Sequence, residues 1–304
     1  MEKQPYVVVV GGLNLDIAGL CGHVYREKDS NIGTVALSAG GVGHNIAQNI
    51  AKLGVPVELV TVFGDDHFGR ILEEECEKDG IGLHYAQKVP GGKSCTYLYI
   101  TDSTGEMMSA INAMALIDCV TPEFLEERKA LINSAALCVV DANICEAGIQ
   151  WLAENCTVPM YADPVSTIKL PRLKPLLPRL EGFKPNALEA QLLTGIEITD
   201  EASAKKAADK LLGLGIQNVF ISMGKDGIFC CNKDESALVP IVKTEIVSVN
   251  GAGDCSMAVI CWARYRFGKT LSMRRIGEMT QKAASLTLQT SKTVSPLLCE
   301  EALI

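Results

Sequence analysis

Residues 6–16 read YVVVVGGLNLD, four consecutive valines running into a glycine pair. A short β-branched run with no polar residue at either alternate position predicts a strand buried on both faces, the type found in a parallel sheet covered by helices. Similar runs recur outward from it: VELVTVFG at 57–64, ALCVVDAN at 136–143, MYADP at 160–164 and NVFISMG at 218–224. Between them apolar residues return at helical spacing, as at Val42, Ile46, Ile50 and Leu53, at Phe68, Ile71 and Leu72, and at Ala204, Ala207, Ala208, Leu211 and Leu212. Strands alternating with helices predict an α/β fold, a mostly parallel sheet with helices on both faces.

Two regions break the alternation. SCTYLYITDSTGEMMSAIN at 94–112 reads as two strands around an STG turn, and residues 13–38 carry turn formers without helical periodicity. The expectation is one domain, 1–304, whose core carries a small β-sheet lid built from segments of about 13–38 and 94–112. LPRLKPLLPRL at 170–180 reads as a surface connection before the next strand.

Composition excludes several classes. The 28 basic against 36 acidic residues leave a net charge of −8, so no sequence-wide basic field exists to grip a nucleic-acid backbone. An anionic ligand would have to be met by a metal, a few placed cations or a helix N-terminus. No window approaches the ~18 apolar residues of a membrane span. The 12 cysteines are scattered, never as CxxC, mostly inside apolar runs, and MEKQPYVVVVGG lacks a signal-peptide pattern; a reducing cytoplasm is expected. The four histidines show no metal-ligand spacing, and each reads as a surface or packing residue.

The chemistry concentrates in five motifs. In SVNGAGDC, 248–255, a strand-like VKTEIVSV leads through Gly251, Ala252 and Gly253 to Asp254 at the start of a helical pattern. Such a turn either presents backbone amides to an anion with Asp254 as a general base, or shapes a turn that Asp254 caps. SAGGVGHNIAQNIAKLG, 38–54, opens an amphipathic helix with Gly40, Gly41 and Gly43 and sets Asn45 in its first turn. Its spacing is not GxGxxG after the first strand, which argues against a dinucleotide loop and for close backbone approach to a hydroxylated ligand. Asn14 and Asp16 alternate in an extended segment, so both face one way, fit for a vicinal diol or for closing a turn. Asn186 and Glu189 of NALE share a helix face, able to order a hydrated metal or to form a capping box. SMGKDG, 222–227, reads as a hairpin turn into IFCC that can also lay Gly224 and Gly227 under a nucleotide.

Taken in order, GGLNLD, AGGVGHNIAQNIAKLG, KPNALE, SMGKDG and NGAGD resemble the motif series of the ribokinase-like PfkB carbohydrate kinases across nearly the whole chain. The resemblance implies a three-layer α/β/α core with a β-sheet lid. It also implies ATP with Mg²⁺ as phosphoryl donor, a small-molecule acceptor and a homodimer through the lid. By resemblance Asp254 deprotonates the acceptor hydroxyl and Gly251, Ala252 and Gly253 form the anion hole. Asn14, Asp16, Gly41 and Asn45 hold the ribose, Asn186 and Glu189 order Mg²⁺ through water, and Ser222, Gly224, Gly227 and Asn186 lie along ATP. TGEMMSAINAM at 104–114 and ADPVSTIK at 162–169 resemble the subgroup acting on pseudouridine, which implies transfer to the 5′-hydroxyl of that nucleoside; another nucleoside or sugar is the alternative. Ser30, Asn31 and Asn112 are the candidates to read its base. The chain departs from the family in having Asn250 and Ser248 where Thr and Asp are usual near the monovalent-cation site, which leaves K⁺ activation open.

Overall fold

All four valines of β1 (Val7–Val10) are fully buried, Val8 and Val10 in one hydrophobic core and Val7 and Val9 in another on the opposite face. The computed structural model describes residues 4–304; the first three residues of the N-terminal stretch lie outside it. The remaining strands are β2 (Asn14–Cys21), β3 (Gly33–Gly40), β4 (Val57–Val60), β5 (Val62–Gly64), β6 (Gln87–Val89), β7 (Thr96–Thr101), β8 (Met107–Ala113), β9 (Leu137–Asp141), β10 (Met160–Asp163), β11 (Leu180–Phe183), β12 (Asn218–Ser222), β13 (Ile228–Asn232) and β14 (Ser236–Val239). Helices are α1 (Val42–Lys52), α2 (His67–Lys78), α3 (Pro122–Glu126), α4 (Lys129–Ser134), α5 (Glu146–Asn155), α6 (Ala187–Thr194), α7 (Glu201–Leu212), α8 (Ala252–Phe267) and α9 (Met273–Leu288).

Eight strands form the central sheet in the order β14-β13-β12-β11-β10-β9-β1-β4. From β4 to β12 every pairing is parallel, and the β12–β13–β14 edge is antiparallel. Side chains of α5 and α7 fill one core with Ile149, Leu152, Ala204 and Leu211, while α1, α2, α8 and α9 fill the other with Ile46, Leu72, Val259 and Met279. The α/β expectation with helices on both faces is met. Because β1 is followed by edge strand β4 and the chain then returns to β9 on the other side, the strand order reverses between β1 and β9. Ligands of open α/β sheets bind outside the carboxyl ends of strands at such a reversal.

A second sheet, ordered β3-β2-β7-β8, is built from the chain between β1 and α1 and from the β7–β8 hairpin. Its strands run from Asn14 to Gly40 around a 22–32 loop and from Thr96 to Ala113.

Three local expectations are corrected. VELVTVFG is not one strand: β4 belongs to the central sheet, and β5 leaves it after Thr61 to pair with β6. Residues 240–249 form no ladder; Val247 and Ser248 instead donate to the carbonyl of Leu288, and Ile246, Val247 and Val249 stay exposed. β-branched composition by itself makes no strand. The proline-rich 170–180 stretch is no mere surface connection, since Leu170, Leu173, Leu176, Leu177 and Leu180 are buried in the core between short 3₁₀ turns.

Candidate active site

β1 leads into Gly11 and Gly12, β9 ends in Asp141, β10 in Asp163, and β11 leads into Lys184, so polar groups gather at the carboxyl ends of four adjacent strands. Asp141 is fully buried and accepts from the amides of Gly12 (2.8 Å), Gly43 (2.7 Å) and Asn143 (2.8 Å). It thereby ties β1 to the start of α1. A Cβ on Gly43 would lie 2.9 Å from the Gly11 backbone, and one on Gly41, whose φ is 101°, would lie 2.6 Å from the Gly12 carbonyl oxygen. These glycines serve backbone-to-backbone packing, which corrects the expectation that approach to a ligand alone explains them. Burial pushes the Asp141 carboxyl above the ordinary range despite its hydrogen bonds.

α8 begins at Gly251, held at φ 78° as N-cap, and the first intrahelical bond runs from the Cys255 amide to the Gly251 carbonyl at 2.9 Å. The amides of Ala252, Gly253 and Asp254 precede any intrahelical partner, so a helix N-terminus opens at this point. Asp254 sits in the first turn and caps nothing: its Oδ2 accepts from Asn45 Nδ2 at 2.8 Å. Its carboxyl is half-buried in the cleft. Desolvation, aided by the negative charge of Asp163, pushes it up to about 7, against the Asn45 hydrogen bond and Lys184. Lys184, buried and 3.2 Å from Asp163 Oδ2, is the cation of the cluster. Burial alone would lower its pKa; Asp163 first, then Glu189 and Asp254, hold it above the ordinary lysine value. Its Nζ lies 3.7 Å from where a Cβ on Gly253 would stand, so ammonium and helix N-terminus face the same small volume.

On the side of the second sheet, Asn14 Nδ2 donates to Asp16 Oδ1 at 2.6 Å, and burial pushes Asp16 up to about 6. A Cβ on Gly41 would stand 2.9 Å from Asn14 Oδ1. Asn14, Asp16, Gly41, Asn45 and Asp254 therefore form one connected series from the second sheet to α8. Register puts Ser38, Asp16, Tyr97 and Asn112 in one cross-strand row, with Ala36, Ala18, Tyr99 and Ala110 in the next row on the same face. Tyr97 and Tyr99 stack at 5.7 Å between ring centroids.

On the other side of α8 lies a cavity of about 450 Å³ lined by Asn186, Ser222, Gly224, Gly227 and Gly253. The loop residues Ile241 to Val249 and Gln281, Ala284 and Leu288 of α9 supply its remaining, largely apolar walls. Gly227, at φ 99°, would place a Cβ 2.0 Å from the Val239 carbonyl oxygen, so it lets the turn between β12 and β13 pass close to the end of β14. Asn186 and Glu189 form a full capping box at α6: the Glu189 amide donates to Asn186 Oδ1 (2.9 Å) and the Asn186 amide to Glu189 Oε2 (2.8 Å). Among the described residues no three His, Cys, Asp or Glu side chains converge as a metal site.

A model of the pfkB family carbohydrate kinases matches residues 4–298. The chain belongs to the pfkB family. It is 36% identical over 266 residues to pseudouridine kinase of Escherichia coli, covering 86% of this chain and 85% of that protein. It is 32% identical over 302 residues to an uncharacterized sugar kinase of the same organism, covering 98% of this chain and 82% of that one. In fold it is similar to the ribokinase of Arabidopsis thaliana complexed with ribose and ATP, with a TM-score of 0.84 at 22% identity over 99% of this chain and 97% of that one. As a pfkB-family member it is a phosphotransferase, and its ribokinase-like architecture is the one expected from its motifs.

Not every expected site residue joins this cleft. Ser30 is exposed in the 22–32 loop, and Asn31 spends its amide there, accepting from the Arg26 amide (2.8 Å) and donating to the carbonyls of Arg26 (2.9 Å) and Asp29 (3.1 Å). In this structure Asn31 is engaged in local turn bonding. Asn112 is exposed on β8 but shares the Asp16 row. Lys184, Asp163, Asp141 and the tyrosine pair were not singled out from the sequence. The signals were present in VVDAN, YADP and KPN, where a polar residue ends or closely follows a buried run; only strand order shows that those ends are neighbours. His44 is buried, in keeping with a packing residue, and touches the series through Asn45.

Among the described residues no helix is long and apolar enough to cross a membrane. Of the 12 cysteines, eight are buried as free thiols, in keeping with their apolar surroundings.

Proposed function

We propose that this pfkB-family kinase transfers the γ-phosphoryl of ATP to the 5′-hydroxyl of pseudouridine, giving pseudouridine 5′-phosphate and ADP. The observation carrying the reaction type is Asp254, a carboxyl raised to about 7 beside open amides at the α8 N-terminus, between the Asn14, Asp16 and Asn45 side chains and a cavity of about 450 Å³. The relative of E. coli supports the substrate.

Asp254 takes the proton of the attacking hydroxyl, a role suited to a pKa near the working pH. Asn14 and Asp16 hold the ribose diol, with Gly41 and Asn45 beside them, which fixes the 5′-oxygen in line with the phosphorus. Amides of Gly251, Ala252 and Gly253, the helix dipole and the Lys184 ammonium stabilise the negative charge on the transferring group. Ser222, Gly224 and Gly227 lie along the nucleotide. Mg²⁺ supplies charge neutralisation on the phosphates when bound. The residues fit a hydrated ion better than a caged one, because the capping box uses Glu189 Oε2 and Asn186 Oδ1 and leaves Glu189 Oε1 to hold a metal-bound water.

Pseudouridine joins ribose to uracil through carbon and so frees a ring N–H that uridine lacks at that place. A site with an acceptor for that N–H leaves it unpaired with uridine. Asn112 is the remaining base-reading candidate, with Tyr97 and Tyr99 on the same face. The test is a coupled assay of ATP consumption across pseudouridine, uridine, adenosine, inosine, ribose and fructose 6-phosphate. Pseudouridine is expected to exceed uridine in kcat/KM by at least about tenfold. Equal values refute the substrate and leave the kinase; preference for a free sugar favours the reading drawn from the second E. coli relative.

A further inference from the structure

His44 is buried in the first turn of α1, and its ring makes one polar contact, Nδ1 to Asn45 Oδ1 at 3.2 Å; Nε2 has no partner among the described residues. The next contact in the series is Asn45 Nδ2 to Asp254 Oδ2 at 2.8 Å. An ionised carboxylate only accepts, so the Asn45 amide must turn its NH₂ to Asp254, and this leaves its oxygen facing His44. That oxygen needs a donor. Burial holds His44 below the ordinary histidine pKa, hence neutral with a single ring proton. With the proton on Nδ1 the contact is a hydrogen bond and only a lone pair is left bare at Nε2. With the proton on Nε2 two lone pairs would face each other at 3.2 Å and a donor would be buried without an acceptor.

We infer that His44 is a positioning residue: its Nδ1–H locks the Asn45 amide with the NH₂ turned to Asp254, and so orients the carboxylate and eases its ionisation. The inference rests on the proposed function only in treating Asp254 as the base. Without the lock the amide can turn over and present oxygen to oxygen, which disfavours the carboxylate form. The other groups bearing on this relay are Asp163, Asp141 and Lys184 around Asp254, and Asp79 and Glu75 of the α2 region around His44. None of them donates to the Asn45 amide oxygen.

The experiment compares the wild type with His44→Leu, which fills the space without a donor, and His44→Asn, whose amide nitrogen stands near the position of Nδ1. Asp254 is titrated directly by carbon NMR of labelled aspartate, its signal identified by loss in Asp254→Asn, and the acid limb of kcat/KM is recorded in parallel. His44→Leu should raise the midpoint by about half to one pH unit, and His44→Asn should bring it back to the wild-type value. An unmoved midpoint in His44→Leu, or an equal shift in both variants, overturns the inference. Ring-nitrogen NMR of the unsubstituted protein needs no folded variant: the His44 proton is expected on Nδ1, and finding it on Nε2 overturns the inference as well. The carboxyl titration reads the relay without any turnover. A wild type that phosphorylates none of the panel therefore defeats the kinase reading while His44 is judged separately.

Discussion

Asp254 carries the sharpest expectations of any single residue. Its folded pKa of about 7 stands above the ordinary 3.8, so between those values the folded chain keeps a proton that the unfolded chain has lost. Its contribution to stability is complete below about pH 4, falls as pH rises toward 7 and stays lost above. Asp254→Asn removes this slope. Its melting temperature should gain on the wild type more at pH 8 than at pH 5, while turnover drops by about 10²- to 10⁴-fold, the usual value of a positioned base. Wild-type kcat/KM should climb through pH ~7 as the base ionises. Turnover near the wild-type level in Asp254→Asn would falsify the role. Asp254 was legible as either a base or an N-cap, and the Asn45 contact with no capping bond separates the two; Lys184 was not legible, since a lysine before Pro-Asn reads as ordinary until β11 is seen to aim it at α8.

At the scale of elements, two glycines of one helix start have separable duties. A Cβ on Gly251 would lie 1.9 Å from the Thr293 carbonyl oxygen, at a φ of 78° that other residues rarely adopt. A Cβ on Gly253 meets only Lys184 Nζ at 3.7 Å. Gly251→Ala should therefore lower the melting temperature and abolish activity, whereas Gly253→Ala should melt like the wild type and lose activity by filling the anion hole. Thermal melts beside initial rates distinguish them, and equal melts for both would show that neither is conformationally required. At α6, Glu189→Gln keeps an acceptor for the Asn186 amide, so the capping box and melting temperature should persist while the Mg²⁺ needed for half-maximal rate rises. A stability loss without a metal effect would leave Glu189 with capping alone. Both motifs could be read in the sequence, but the two purposes of NALE overlapped there because capping and water-holding ask for the same residue types.

For the whole molecule, the second sheet is the least covered element. Every residue of β8 and the first six of β3 are exposed, and such poorly covered ladders open at low free energy. If the sheet closes as a lid, hydrogen exchange in β2, β3, β7 and β8 should slow when nucleoside binds. Unchanged exchange at saturating nucleoside rejects closure. Its other face carries the row Leu37, Ile17, Leu98, Ile111, with Val35 in the adjacent row; Leu37, Leu98, Ile111 and Val35 are 50%, 36%, 63% and 73% exposed. We propose that a second copy covers this apolar face, as the family resemblance implies. Light scattering should give a dimer mass, and Leu37→Asp should give a monomer.

By itself the sequence determined the strand and helix alternation, the β7–β8 hairpin and the Gly251–Asp254 turn. These depend on local chemistry: β-branched runs, 3.6-residue periodicity and residues that tolerate tight turns. Only the tertiary structure decided what stands beside what. Asn45 and Asp254 are 209 residues apart in the chain and 2.8 Å apart in space. Strand order, with its reversal between β1 and β9, brings Asp141, Asp163 and Lys184 to one end of the sheet. Tertiary packing also left 240–249 as a cavity wall instead of a strand. Local pattern fixes which backbone groups can pair within a segment; burial, close glycine contacts and the raised pKa of Asp254 arise from distant segments excluding water together.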